Sequence, residues 1–294
     1  MNRTGQLGAC LATLALLGCV GCGGQSETPQ AERDDFQPDT VEDLECMPDL
    51  DGRIEADQLQ PAFDIPVNYR ISPAGHERPV DLAGFQDQLG NRVWDFTTEE
   101  YELADENLEV LATELDGKWY DDEFEGGEFT TVLDASLDLD AVYSHGDEHL
   151  YLHGYASATE EPDIGQTLVV YDEPVVAYEF PLQEGDAWQS TGEVQDGRVR
   201  GLPYTAQEHY EFEVDASGAL WLPDITFDQV LRVRTKLTID SAIGHPIYRE
   251  QIQFLFECFG EVTRLVGPDV ELDDDTDPGD YEFDRTVEMR RLGF

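Results

Sequence analysis

Lysine is nearly missing from this chain: Lys118 and Lys236 are the only two in 294 residues. With arginine, the basic residues number 17 against 65 Asp and Glu, a formal net charge of -48. A field of that sign repels phosphate backbones and anionic lipid surfaces, which excludes nucleic acid as a partner. Long apolar runs are missing too, since none reaches the roughly 20 residues that a membrane-spanning helix needs. Motifs that announce chemistry are absent: there is no G-x-S-x-G elbow, Walker loop, H-E-x-x-H or G-x-G-x-x-G. Each would fix a nucleophile, a phosphate cradle, a zinc or a dinucleotide. With so many carboxylates, picking two as a catalytic pair from spacing alone is arbitrary. The acids are spread along the whole chain, which fits a surface adapted to a salty exterior better than one dedicated cation-binding segment.

What the chain has in abundance is alternation with a period of two. In Gln229–Ile239, Leu231, Val233, Leu237 and Ile239 fall on one side, and Arg232, Arg234, Lys236 and Thr238 on the other. In Pro246–Phe259, Tyr248, Ile252, Phe254 and Phe256 alternate against Arg249, Gln251 and Gln253. Similar runs recur from Pro66 to Leu292, punctuated by Gly146-Asp147, Gly185-Asp186, Asp196-Gly197 and Gly244-His245-Pro246. One apolar and one polar face is the signature of antiparallel sheets wetted on one side. The pattern predicts a mostly β fold: a single antiparallel domain over 46–294, built as a curved sheet, a sandwich or an open barrel. One or two short helices are expected, at Ala104–Leu115 with Asp105 as N-cap and just after Glu55.

The N-terminus is organised differently. Arg3 precedes an apolar segment from Leu7 to Leu17, and Leu16-Leu17-Gly18-Cys19 closes it. This order resembles a bacterial lipoprotein signal peptide. The resemblance implies cleavage after residue 18 and lipidation of Cys19, with Cys22 the less fitting alternative because Leu is then missing three positions before it. It further implies a chain held in the cell envelope through an N-terminal lipid, and, with Val20 after the anchor, at the outer membrane. Residues 19–45, rich in Gly, Pro, Gln and acids, then form a flexible tether.

Two cysteines remain beyond the tether, Cys46 and Cys258. In an oxidising compartment they are candidates for a disulfide closing a loop of over two hundred residues, which the chain-entropy model credits with roughly 5 kcal/mol. The competing reading makes Cys258 a small buried apolar residue on the strand face of Ile252, Phe254 and Phe256.

Four patterns are candidate sites. His149 and His153, with His145 before them, sit in a predicted hairpin turning at Gly146-Asp147. Four residues of strand cover about 13 Å, too far for shared zinc ligation at about 2 Å per bond. His149, Tyr151, His153 and Tyr155 are instead expected to line one face that could receive a ligand. Asp273, Asp275, Asp277 and Asp284 resemble positions one, three, five and twelve of a calcium loop. Pro278, however, stands where the sharp turn needs Gly, so a solvated loop with at most millimolar calcium affinity is expected. Asp49-Leu-Asp-Gly-Arg-Ile-Glu resembles the middle of such a loop, but Met47 and Gln58 replace its terminal ligands. Arg232, Arg234 and Lys236 predict pairing with carboxylates such as Glu211 and Glu213, with a small anion pocket as the alternative.

Four phrases, Tyr178-Glu-Phe-Pro-Leu-Gln-Glu-Gly-Asp-Ala-Trp188, Gly218-Ala-Leu-Trp-Leu-Pro223, Val230-Leu-Arg-Val-Arg234 and Phe256-Glu-Cys-Phe-Gly260, resemble bacterial lipoproteins of the myxobacterial type. That group has no established activity, so the resemblance implies strands and turns, with Gly185-Asp186 and Gly218 at turns, and no catalytic residue. The expectation is a non-enzymatic binding or structural module with no cofactor, calcium apart, and with a protein or small-molecule partner left open. Two alternatives make distinct predictions. A carrier of an apolar envelope molecule needs a concave apolar face holding Phe254 and Phe256. An envelope-polymer hydrolase needs a cleft with a carboxyl group of raised pKa beside a second one.

Overall fold

The computed structural model describes residues 46–98, 104–272 and 282–293. Alternating side chains drive more than half of them into strands. The first stretch forms β1 (Arg53–Ile54), β2 (Val67–Ile71), β3 (Arg78–Pro79), β4 (Phe85–Gln86), β5 (Arg92–Asp95), β6 (Glu106–Val110) and β7 (Thr113–Glu114). The centre forms β8 (Phe129–Asp134), β9 (Leu139–His145), β10 (His149–Ser157), β11 (Leu168–Glu179), β12 (Leu182–Gln183), β13 (Ala187–Val199) and β14 (Leu202–Trp221). The remainder forms β15 (Thr226–Ser241), β16 (Ile247–Phe256), β17 (Gly260–Val266), β18 (Val270–Glu271), β19 (Arg285–Thr286) and β20 (Glu288–Leu292).

One sheet runs β6-β2-β20-β17-β16-β15-β14-β13-β11-β10-β9-β8-β7, antiparallel along this whole path. β5 adds beside the end of β14 in parallel. The two edge strands, β6 and β7, are consecutive in the chain, separated only by Leu111 and Ala112. The sheet therefore rolls until its edges meet in one bent segment, yet no ladder joins β6 to β7 and the roll does not close into a barrel. It flattens instead, so that β8 lies across from β17 and β20 in a sandwich-like arrangement.

Three clusters of buried side chains follow from strand parity. Between the layers lie Leu152, Val169, Val175, Trp188, Phe212, Val233 and Leu255. On the outer side of β15–β17, Trp94, Phe96, Phe227, Ile252, Phe254 and Met289 pack under the β4–β5 segment. On the outer side of β8–β11, Tyr120 and Phe124 close over Val142 and Ala156.

The predicted helix at Ala104–Leu115 is overturned. Leu108 and Val110 alternate in β6, paired with Tyr69 and Val67 of β2. Asp105 caps nothing; its side chain is fully buried and ion-paired to Arg78 and to Arg291, the latter at 2.6 Å. Leu108, Ala112 and Leu115 satisfy a helical spacing equally well, and the open edge of β2 decides for the strand. The short helix after Glu55 is present as a 3-10 turn, Ala56–Leu59, where Glu55 and Gln58 form a capping box. A second 3-10 turn covers Asp121–Glu123.

Two punctuation marks are overturned as well. Asp196-Gly197 lies inside β13 at a register shift between Val194 and Gly197, and Gly218 lies inside β14. A Cβ at Gly218 would sit 2.5 Å from the carbonyl oxygen of Arg92, so this glycine lets β5 dock rather than the chain turn.

Candidate functional site: polar clusters between the layers

Glu208 occupies an inward position of β14, in phase with Ala206, Phe212 and Val214, and is 1% exposed. An isolated carboxylate there would carry a desolvation cost of several kcal/mol. Four tyrosines offset it. Its Oε1 accepts from Tyr155 at 3.0 Å and Tyr204 at 2.8 Å; its Oε2 accepts from Tyr171 at 2.7 Å and Tyr210 at 3.0 Å. Burial first pushes the Tyr171 and Tyr210 hydroxyls well above their ordinary value near 10; Tyr210 and Glu208 add to it at Tyr171, and Glu208 adds to it at Tyr210. They stay neutral donors. A carboxylate has about four acceptor directions, so Glu208 retains none for a metal or a substrate. Tyr171 fits because its ring lies over Gly192, where a Cβ would sit 2.5 Å from it.

A second cluster fills the space between β17, β20 and β8. Glu261 accepts from Gln253 Nε2 at 2.6 Å and Arg264 Nε at 2.8 Å. Arg290, 2% exposed, pairs with Glu288 at 3.1 Å and lies over the ring of Tyr69. Arg264 and Arg290 also donate to the carbonyls of Leu133 and Val132 on β8. Burial alone would raise the pKa of Glu261, but Arg264 and Arg290 outweigh it and hold this carboxyl below its usual range. At Glu288 burial prevails over the same arginines and the pKa is raised. Two carboxyls with pKa values driven apart are a hydrolase-like pattern. Here both are held by arginine inside the sandwich.

The sequence-predicted residues disperse. His149 and Tyr151 share a face, ring centroids 5.4 Å apart, with their polar atoms at 3.3 Å. His153 hydrogen-bonds Ser144 Oγ at 2.8 Å, and Ser144 pairs with Tyr151. Tyr155 leaves this stripe, because a register shift between Leu152 and Gly154 reverses the strand's parity and sends it inward to Glu208. Cys46 and Cys258 are disulfide-bonded, with Cα atoms 5.6 Å apart. Cys258 sits in a turn at φ 66°, off the face of Ile252, Phe254 and Phe256. Asp273, Asp275 and Asp277 fall outside the described residues, as does Cys19; Asp284 is described and exposed.

The Asp49–Glu55 fragment acquires a carboxylate that sequence spacing does not show. Carboxylate oxygens of Asp49, Asp51 and buried Glu257 come within 4.8 Å of one another beside the disulfide. Glu257 Oε2 is already committed, accepting from the backbone N–H of Asp49 at 2.6 Å and of Leu50 at 3.1 Å.

Arg232 and Arg234 do pair with carboxylates, but chiefly with Asp215, which both clasp, and Arg234 also with Glu250. Glu211 and Glu213 stand opposite Lys236 and Arg234 in the ladder and form no ion pair with them within 4.0 Å. Arg234, Lys236, Glu211 and Glu213 line a shallow groove of about 320 Å³ with Gln189 and Trp188.

Comparison with protein-family models, curated proteins and solved structures gives no match to this chain. Among the described residues no helix is long and apolar enough to cross a membrane.

Proposed function

We propose that the chain is a lipid-anchored protein of the cell envelope, held at the outer membrane through Cys19, whose β-rich unit works as a non-enzymatic binding or structural module. The observation that carries the non-carrier part is the filled interior. Arg264 and Arg290 span the layers to the β8 carbonyls, occupying the space a cargo would take. Phe254 and Phe256, which a carrier would turn toward its ligand, pack instead against Trp94, Phe96 and Phe227. The carboxyls with divergent pKa values lie between the layers, which gives the hydrolase reading less support than an open cleft would.

Two measurements on protein from its own host test this reading. The intact mass of the mature form is expected to show cleavage before Cys19 and added acyl mass; an unlipidated N-terminus would overturn the anchor. Native mass spectrometry is expected to show the chain without bound organic cargo. A reproducible organic adduct would put the carrier ahead.

A further inference from the structure

His153 is an extra residue in its strand. In the ladder between β9 and β10, Leu152 stands opposite Tyr143 and Gly154 opposite Val142, so no residue of β9 is left for His153. A bulge of this kind bends the strand and re-aims the side chain it carries. Gly154 permits it: its φ is 140°, and a Cβ there would sit 2.0 Å from the carbonyl oxygen of Val169.

The bulge delivers the imidazole to a serine. His153 Nε2 lies 2.8 Å from Ser144 Oγ, and both residues are half-buried, within reach of solvent. The backbone of Glu125 takes a hydrogen bond from the same ring. A carbonyl only accepts, so with Nε2 at Ser144 the donor is Nδ1–H, and Nε2 is left to accept the serine proton. Burial lowers the pKa of the ring against the opposing pull of Glu128 and the Glu125 backbone, which keeps the imidazole neutral and able to take that proton. A hydroxyl, a base within hydrogen-bond reach and a third group that orients the base are the parts of an activated nucleophile.

Thr191 and His209 supply an internal comparison. Their hydroxyl and imidazole are 3.1 Å apart, but both residues are exposed and stand directly opposite in an unbroken part of the β13–β14 ladder.

We propose that Ser144 is an acyl-acceptor site, with His153 as its general base and a neutral carboxylic ester as the reactant. Ser144 Oγ bonds to the ester carbonyl carbon while its proton passes to His153 Nε2. The bond from that carbon to the leaving oxygen then breaks, and Nε2 returns the proton to the departing alcohol. The chain ends as an acyl-serine, and nothing is oxidised or reduced. The carboxylate of Glu128 beside the ring opposes an anionic reactant, which selects a neutral one. The proposal goes beyond the binding reading and leaves it standing, since one transfer to the chain itself is a modification and not turnover. It is also independent of the lipid at Cys19.

The test treats the full chain with p-nitrophenyl butyrate and maps the butyryl group by peptide mass spectrometry. Nitrophenolate release stoichiometric with the chain is expected, with the acyl mass on Ser144 and not on Thr191, Lys118 or Lys236. S144A is expected to lose the label. H153Q keeps an acceptor near Ser144 but no base, and is expected to acylate at least about a hundredfold more slowly. Unchanged thermal midpoints verify the fold of both variants, and labelling of the parent chain needs no variant at all. No acyl mass on Ser144, equal labelling of Thr191 or the lysines, or H153Q reacting as fast as the parent would each overturn the proposal.

Discussion

Arg264 crosses the sandwich to Leu133: its Nη1 donates to that carbonyl at 2.9 Å, linking positions 131 apart in sequence. Leu133 lies on β8, near the edge of the sheet, where carbonyls otherwise face water or a foreign strand. Together with Arg290, this guanidinium fastens one flank of the rolled sheet to the other. Its charge is balanced by Glu261 at 2.8 Å. The fastening and the ion pair stand or fall together.

Replacing Arg264 by leucine leaves Glu261 buried without its nearest cation, and leaves the Leu133 carbonyl only the longer contact from Arg290 at 3.4 Å. A loss of about 3–5 kcal/mol is expected in urea unfolding. Adding Glu261→Gln should restore much of it, since removing both charges avoids the lone buried ion. Failure of the double variant to recover would show that Arg264 acts through packing alone.

Glu208 makes the complementary case, a buried anion held only by hydroxyls. Tyr171→Phe removes one charge-assisted hydrogen bond and is expected to cost about 1.5–3 kcal/mol. Glu208→Ala removes the shared acceptor of four hydroxyls, leaving Tyr171 and Tyr210 only their mutual contact at 2.8 Å, and should cost more than Tyr171→Phe. Equal, small effects on the thermal midpoint would mean that water replaces the carboxylate readily.

The Cys46–Cys258 bond closes a separation of 212 residues. Reduction, or Cys258→Ser, is expected to cost about 2–5 kcal/mol. Because Cys46 leads into the Asp49–Asp51 loop held by Glu257, amide exchange should rise there first. Uniform exchange across the sheet would show instead that the bond supports the whole domain equally.

Burial lowers the pKa of His145 and of His153 from 6.5, while Glu128 partly opposes it at both. The folded form therefore favours neutral imidazoles. The stability this confers is fully present above pH 6.5 and is lost as pH falls from 6.5 through the lower folded-state values. The H145Q/H153Q variant is expected to show a flatter urea midpoint than the parent over that window. Imidazole NMR titrations centred at or above 6.5 would refute it.

Much of the sheet is legible in the residues themselves. Gln229–Ile239 lies within β15, and Ile247–Phe256 of the Pro246–Phe259 run forms β16, because period-two alternation over several residues matches one local geometry. The hairpin at Gly146-Asp147 follows in the same way, with the Gly146 N–H donating to the His149 carbonyl at 2.9 Å. Legibility fails where a neighbour decides. Gly197 and Gly218 read as turns, yet a bulge and a docked strand put them inside strands. Tyr155 reads as part of a surface stripe until the shift after Leu152 reverses its face. The Cys258 alternatives needed the position of Cys46, which no local pattern carries.

The sequence by itself determined the class of structure: antiparallel strands, the positions of most hairpins, and a formal net charge of -48. The strands follow from side-chain alternation, which acts over a few residues, and the charge from composition, which acts over the whole chain. Only the tertiary structure decided that the roll flattens, that β6 and β7 meet at one bend, and which carboxylates are matched by which donors. Glu208 with its four tyrosines, and Glu261 with Arg264, are chosen among 65 acids by strand register across the sandwich. Register is a long-range property: a shift of one residue turns every side chain of a strand to the opposite face.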